Sequence, residues 1–170
     1  MGSRSTNLHL RFGWGSYLVF FLLTGSPLYG QSNPFEVLLG SWSGSGTVKF
    51  TDGGREQITC NAVWELRDSS TATARTTCVG RLHKGTILST LRHHDGLIGG
   101  SWSETTRDVE GTLSGSVDGN RILLTVSRLF PATVTIITSG DQQTALLQAQ
   151  GTKVESILVI FTRDNVSEKK

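Results

Sequence analysis

A chain of 170 residues is long enough for one domain with a real core. Charged residues make up only 18%, and 20 glycines stand against 3 prolines, which suits a turn-rich β protein and excludes a coiled coil or a disordered chain. Two of the 16 basic residues, Arg4 and Arg11, lie in an acid-free N-terminal stretch; the others balance the 14 acids, so no basic stripe remains for nucleic acid.

Residues 1–30 read as a secretory signal peptide. Arg4 and Arg11 supply the positive region, and Tyr17-Leu18-Val19-Phe20-Phe21-Leu22-Leu23 the apolar one. Thr24-Gly25-Ser26-Pro27 breaks the run, and Ser26 or Gly30 offers a small residue for cleavage. The run is shorter than the roughly 20 apolar residues a span requires, so no stable membrane insertion is expected after cleavage. The alternative is an uncleaved anchor. No cysteine follows the run for lipidation, and the expected location is periplasmic or secreted, in a bacterium.

Residues 31–163 read as a single β domain. Asn33-Pro34 looks like an N-cap with proline at the first helical position. One helical turn then places Phe35, Leu38 and Leu39 on a shared face, and Gly40 ends it. From Trp42 the period becomes two: Trp42, Gly44, Gly46, Val48 and Phe50 on one face, and Ser41, Ser43, Ser45, Thr47 and Lys49 on the other. Inward glycines weaken a strand, so Gly44 and Gly46 point to a close approach by another segment or to a bend.

The second strand, about Glu56 to Leu66, alternates Ile58, Cys60, Ala62, Trp64 and Leu66, and the third, Thr71 to Val79, returns after Asp68-Ser69-Ser70. If this hairpin is symmetric about Ser69, Cys60 faces Cys78, Ala62 faces Thr76 and Trp64 faces Ala74. Opposed residues lie within disulfide range, and an even cysteine count in an exported chain suits a bridge. A redox or metal-binding pair is the alternative, but no CxxC and no histidine set accompanies it.

Asp95-Gly96 is a two-residue hairpin signal. The return strand puts Ile98, Gly100, Trp102 and Glu104 on one face, and Val109, Gly111, Leu113, Gly115 and Val117 follow after Arg107-Asp108. Turns fall near residues 53, 69, 83, 95, 107, 119, 131, 140 and 151. Such even spacing without a helical crossover predicts an all-β, antiparallel up-and-down barrel of about 8–10 strands, with a short N-terminal helical turn. A sandwich would require longer connections. Residues 164–170 read as a disordered tail.

Gly40-x-Trp42-x-Gly44-x-Gly46 resembles the opening of lipocalin-like (calycin) and nitrobindin-like barrels. That resemblance implies a Trp42 that plugs one barrel end. Nitrobindin-like proteins hold haem through a late histidine, and no histidine follows His94 here, so no cofactor is expected. Cys60, Cys78, Gly100-Ser101-Trp102-Ser103-Glu104-Thr105-Thr106-Arg107 and Gly111-Thr112-Leu113-Ser114-Gly115 resemble a family of small exported bacterial proteins of unassigned activity.

No catalytic signature is present. Gly40-Ser41-Trp42-Ser43-Gly44 has Trp where a nucleophile elbow requires Ser. Gly80-x4-Gly85-Thr86 lacks the P-loop lysine. His93 and His94 are adjacent on a strand, point to opposite faces and read as a solvated hairpin end, so no metal site is expected. His83 lies in a loop with no partner evident. Trp102, Glu104 and Arg107 form the candidate ligand-binding group, since an inward Glu with an Arg partner can hold a polar ligand group or act as an acid. A salt bridge at the barrel mouth is the alternative. Trp42, Gly44 and Gly46 are structural candidates. The expected activity is binding of a small apolar ligand; the alternative is an interaction protein of the protease-inhibitor type, with residues 31–36 as an inserting arm.

Overall fold

A computed structural model describes Gly2 and residues 33–81, 83–128 and 130–165. The signal-peptide reading of residues 1–30 and most of the tail, residues 166–170, lie outside the described residues.

Ten antiparallel strands close into one barrel. They are β1 (Gly40–Phe50), β2 (Arg55–Leu66), β3 (Thr71–Gly80), β4 (Lys84–His94) and β5 (Leu97–Glu104), then β6 (Val109–Asp118), β7 (Arg121–Ser127), β8 (Ala132–Ser139), β9 (Gln142–Ala149) and β10 (Val154–Arg163). Each strand pairs with its sequence neighbours, and β1 closes the ring against β10. Every predicted turn is a turn of the barrel. Closure leaves no sheet edge open to pairing with other chains.

The Asp95-Gly96 turn takes positive φ at both residues, +49° and +78°, which is what a two-residue hairpin of matching twist requires. The β2–β3 hairpin has the expected register: Cys60 faces Cys78, Ala62 faces Thr76 and Trp64 faces Ala74. The two cysteines form a disulfide with Cα atoms 4.1 Å apart.

The glycines of β1 sit where β10 crosses close. A Cβ on Gly44 would come 2.9 Å from Phe161 Cδ1, and one on Gly46 2.9 Å from Val159 Cγ2. The helical turn is a 3-10 turn, Glu36–Leu38, two residues later than the Asn33 cap predicts. Asn33 instead closes a tight side-chain turn, its Oδ1 accepting from the Phe35 N–H at 3.0 Å. Pro34 lies within that turn, ahead of the helical residues.

The core runs along the inner face. Trp42, Trp64, Ala72, Leu91, Ile98, Leu113, Ile122, Leu124, Ile136, Val159 and Phe161 are buried there, with Phe35 and Leu38 packed on from the 3-10 turn. No helix among the described residues is long and apolar enough to cross a membrane.

Candidate functional site

Strand alternation gives each side chain a face, and the register sets its height in the barrel. One end holds the start of β1 and the β2–β3, β4–β5, β6–β7 and β8–β9 turns. There Trp42 is fully buried, and its indole Nε1 donates to the Leu38 carbonyl at 2.7 Å. The Arg163 guanidinium lies 4.1 Å over the Trp42 ring. It also donates to the carbonyls of Val37, at 2.9 Å, and Leu39, and its Nε bonds Asp141 at 3.2 Å. Arg163 thus ties the last strand to the 3-10 turn across the plug, and a guanidinium satisfied on its edges stacks well on an aromatic face.

His93 belongs to this end too, contrary to the reading of the His93-His94 pair as a solvated hairpin tip. It faces inward, packs edge-on to Phe35 with ring centroids 6.4 Å apart, and accepts the Gly96 N–H at 3.0 Å. His94 points outward and is exposed.

The other end is different. Val48, Ile58 and Ala132 are buried there, but many of its other inward residues are not. Cys78, Gly85, Ser89, Trp102, Val109, Gly111, Val126, Val134, Leu147 and Ile157 all face the interior, yet each is only half-buried. Ile87 is the clearest case. It pairs with Thr76 and Glu104 on the inner face but is 38% exposed. An apolar side chain that points into a barrel and still meets solvent is one that the opposite wall does not cover.

Glu104 lies at this mouth and is 8% exposed. Its carboxylate accepts from the N–H groups of Thr106 and Arg107, each at 2.9 Å, from Thr86 N–H at 3.3 Å, and from Arg107 Nη1 at 3.2 Å. Burial pushes its pKa up, but the Thr106 backbone and hydroxyl bonds and the Thr86 and Arg107 amides outweigh that, leaving it below the ordinary carboxylate value. The group is therefore ionised at neutral pH and occupied by its own turn. Arg107 is more than half exposed beside it. The structure thus brings Trp102, Glu104 and Arg107 to one end; of the three, only Trp102 turns an apolar surface into the interior.

Sequence reasoning passed over a second rim carboxylate. Glu56 faces inward on β2 at 8% exposure, and its Oε2 lies 2.7 Å from His83 Nδ1. The alternation through Ile58 and Cys60 already put Glu56 on the inner face, and a charge in that pattern was the available signal. Arg163, two residues beyond Phe161 on the inner face of β10, carried the same signal.

On the outer wall, a depression of ≈ 430 Å³ lies over β4–β6 between Leu88, Ser103, Glu110 and Arg128, and reaches Trp102 past Gly111. It is broad and open, and its lining converges no charged groups beyond the exposed Glu110–Arg128 pair, 3.5 Å apart. No cluster of three or more metal-ligating side chains occurs among the described residues.

No family model matches the chain, and no curated protein does. Among solved structures, Rv2717c from M. tuberculosis superposes with a TM-score of 0.63 at 16% identity, covering 76% of this chain and 94% of that one. The S-type phycobiliprotein lyase CPES from Guillardia theta gives 0.53 at 15% identity, covering 76% and 90%. Likeness at this identity speaks for the fold: the chain is a calycin-like antiparallel barrel of ten strands.

Proposed function

We propose that this is an exported binding protein that holds a small apolar ligand in the open half of its barrel. The observation that carries this reading is Ile87, inward-facing and 38% exposed. Beside it, Thr76 and Ser89 are small where larger side chains would fill the interior. Moving apolar ligand surface out of water there is worth about 25 cal/mol per Å², before the costs of association. Export is supported by the Cys60–Cys78 disulfide, a bond that persists in oxidising compartments.

Native mass spectrometry of protein purified from cell envelopes tests the ligand. A retained apolar molecule near one equivalent is expected. An empty protein that also shows no thermal shift with a panel of lipids and haem would end this reading. N-terminal sequencing of the same material tests export, with a mature start near Gln31 expected and an intact Met1 contradicting it.

A second reading, an interaction protein, has one observation in its favour. The outer wall of β7–β10 carries Leu123, Ile137, Leu158 and Ile160, exposed by 40%, 41%, 41% and 56%. The described part of the proposed arm points the other way, since Phe35 is fully buried in the barrel's own plug.

A further inference from the structure

Two tryptophans share one row of the inner wall. Trp64 on β2 faces Ala74, Ala74 faces Ser89, Ser89 faces Trp102, and Trp102 faces Gly111. Only two small residues separate the indoles across the sheet. Both indole nitrogens are shut off from solvent, and neither has a hydrogen-bond partner among the described residues. They contrast with Trp42, whose Nε1 is satisfied by Leu38. A buried N–H without an acceptor is unfavourable, and native structures rarely tolerate one without a role. Two in one row of one interior is a second-order improbability unless something supplies the acceptor.

The charges of the interior narrow what that something is. Among the described residues, the inner wall of the open half carries Glu56 and Glu104 and no cationic side chain. Arg163 lies at the end that Trp64 shares, where the Trp42 ring, Asp141 and the Val37 and Leu39 carbonyls already take up its guanidinium. An anionic group carried down to the tryptophan row would be buried with no counter-charge, which is far more costly than burying a neutral one. At the mouth Arg107 Nη1 is held by Glu104 at 3.2 Å, His83 Nδ1 lies 2.7 Å from Glu56, and Lys84 points outward.

We propose, building on a ligand-filled interior, that the ligand is a neutral apolar molecule whose leading end carries a hydrogen-bond acceptor of the carbonyl type, taken up by the indole N–H groups of Trp102 and Trp64. Trp64 is 5% exposed and forms the floor. Trp102 is half-buried, with its Nε1 lying over Gly111, where an added Cβ would come 2.6 Å from it. On entry, the Trp102 ring turns off Gly111 to meet the acceptor, and Ser89 places a hydroxyl between the two donors. Fatty acids and other carboxylates are thereby selected against.

Three naphthalenes with the same apolar body test this: 2-acetylnaphthalene, 2-naphthoate and unsubstituted naphthalene, titrated at neutral pH against tryptophan fluorescence. The ketone is expected to bind about tenfold more tightly than naphthalene, equivalent to 1.4 kcal/mol, and naphthoate more weakly than either. Trp102→Phe and Trp64→Phe keep an aromatic ring, though a smaller one, and remove the N–H. Each should cut the ketone's advantage over naphthalene while leaving naphthalene binding within about twofold, with calorimetry replacing fluorescence for these variants. The selectivity ratio is read, so a general loss of stability does not mimic the result, and either variant suffices if the other fails to fold. Equal binding of all three, tightest binding of naphthoate, or a ratio unchanged in the folded variants would overturn the acceptor inference alone. Failure of all three to bind would count against the open interior itself.

Discussion

The two ends of the barrel follow the same alternation of inward and outward residues and reach opposite results. At the plugged end Trp42, Trp64, Leu91, Ile98 and Phe161 point inward and are buried, with His93 and Val117 half-buried beside them, and the chain adds a 3-10 turn and an arginine as a seal. At the open end the inward positions include Thr76, Gly85, Ser89 and Gly111; of the large ones, Ile87 and Trp102 stay partly solvated while Val48 and Ile58 are buried. The disulfide stands between. Cys60 is fully buried, and Cys78 beside it is half-buried. More apolar side chain is thus buried at one end than at the other, because a strand can bury only what the opposite wall reaches.

That contrast is easiest to break at the plug. Trp42→Ala removes a fully buried indole, its hydrogen bond and the ring under Arg163, and should cost about 3–5 kcal/mol in urea unfolding. A cost under ~1 kcal/mol would mean that the plug is not where stability lies. Reducing the disulfide comes next. A bridge between residues 18 apart should contribute about 3 kcal/mol by restricting the unfolded chain, seen as a lower urea midpoint under reductant.

At the rim, Glu104→Gln should cost about 2 kcal/mol at neutral pH, since the turn amides lose a charged acceptor. Because the folded-state pKa is lowered, the wild-type contribution is present above the ordinary carboxylate value and is lost as pH falls through the lower folded value. The Gln variant should therefore show a flatter acid limb between those two values. A parallel acid limb in both proteins would detach Glu104 from acid stability. The smallest effect belongs to Ile87→Ser, expected to change stability by less than about 1 kcal/mol because the side chain already meets solvent. A loss like that of a core isoleucine would show the mouth to be shut.

Much of this architecture is legible in the residues themselves. Turn chemistry at Asp52-Gly53-Gly54, Asp95-Gly96 and Asp118-Gly119-Asn120 spaces the strands, and the symmetry of one hairpin is enough to pair Cys60 with Cys78. Alternation sets the inner face correctly, including Trp102 and Glu104. It is silent on what the opposite wall supplies. Whether Ile87 is covered depends on the diameter and stagger of ten strands, which no local window contains. The Glu56–His83 contact joins residues 27 apart, and the Arg163–Trp42 stack joins the first strand to the last. Closure alone makes such partners neighbours. Glu104 shows the reverse limit: its Arg107 neighbour is visible in the sequence, but the amides that occupy its carboxylate follow from the turn's backbone path, at Thr106 and Arg107, and from the pairing of β4, at Thr86.

The open interior is tested most directly by titrating a neutral naphthyl ketone dye, whose emission shifts in apolar surroundings, against the wild-type protein and Ile87→Trp, a variant that fills the mouth. Saturable one-to-one binding with a blue-shifted emission is predicted for the wild type, and its loss is predicted for Ile87→Trp at unchanged urea stability. No saturable binding by the wild type, or equal binding by a folded Ile87→Trp, would contradict a barrel that takes its ligand in through this end.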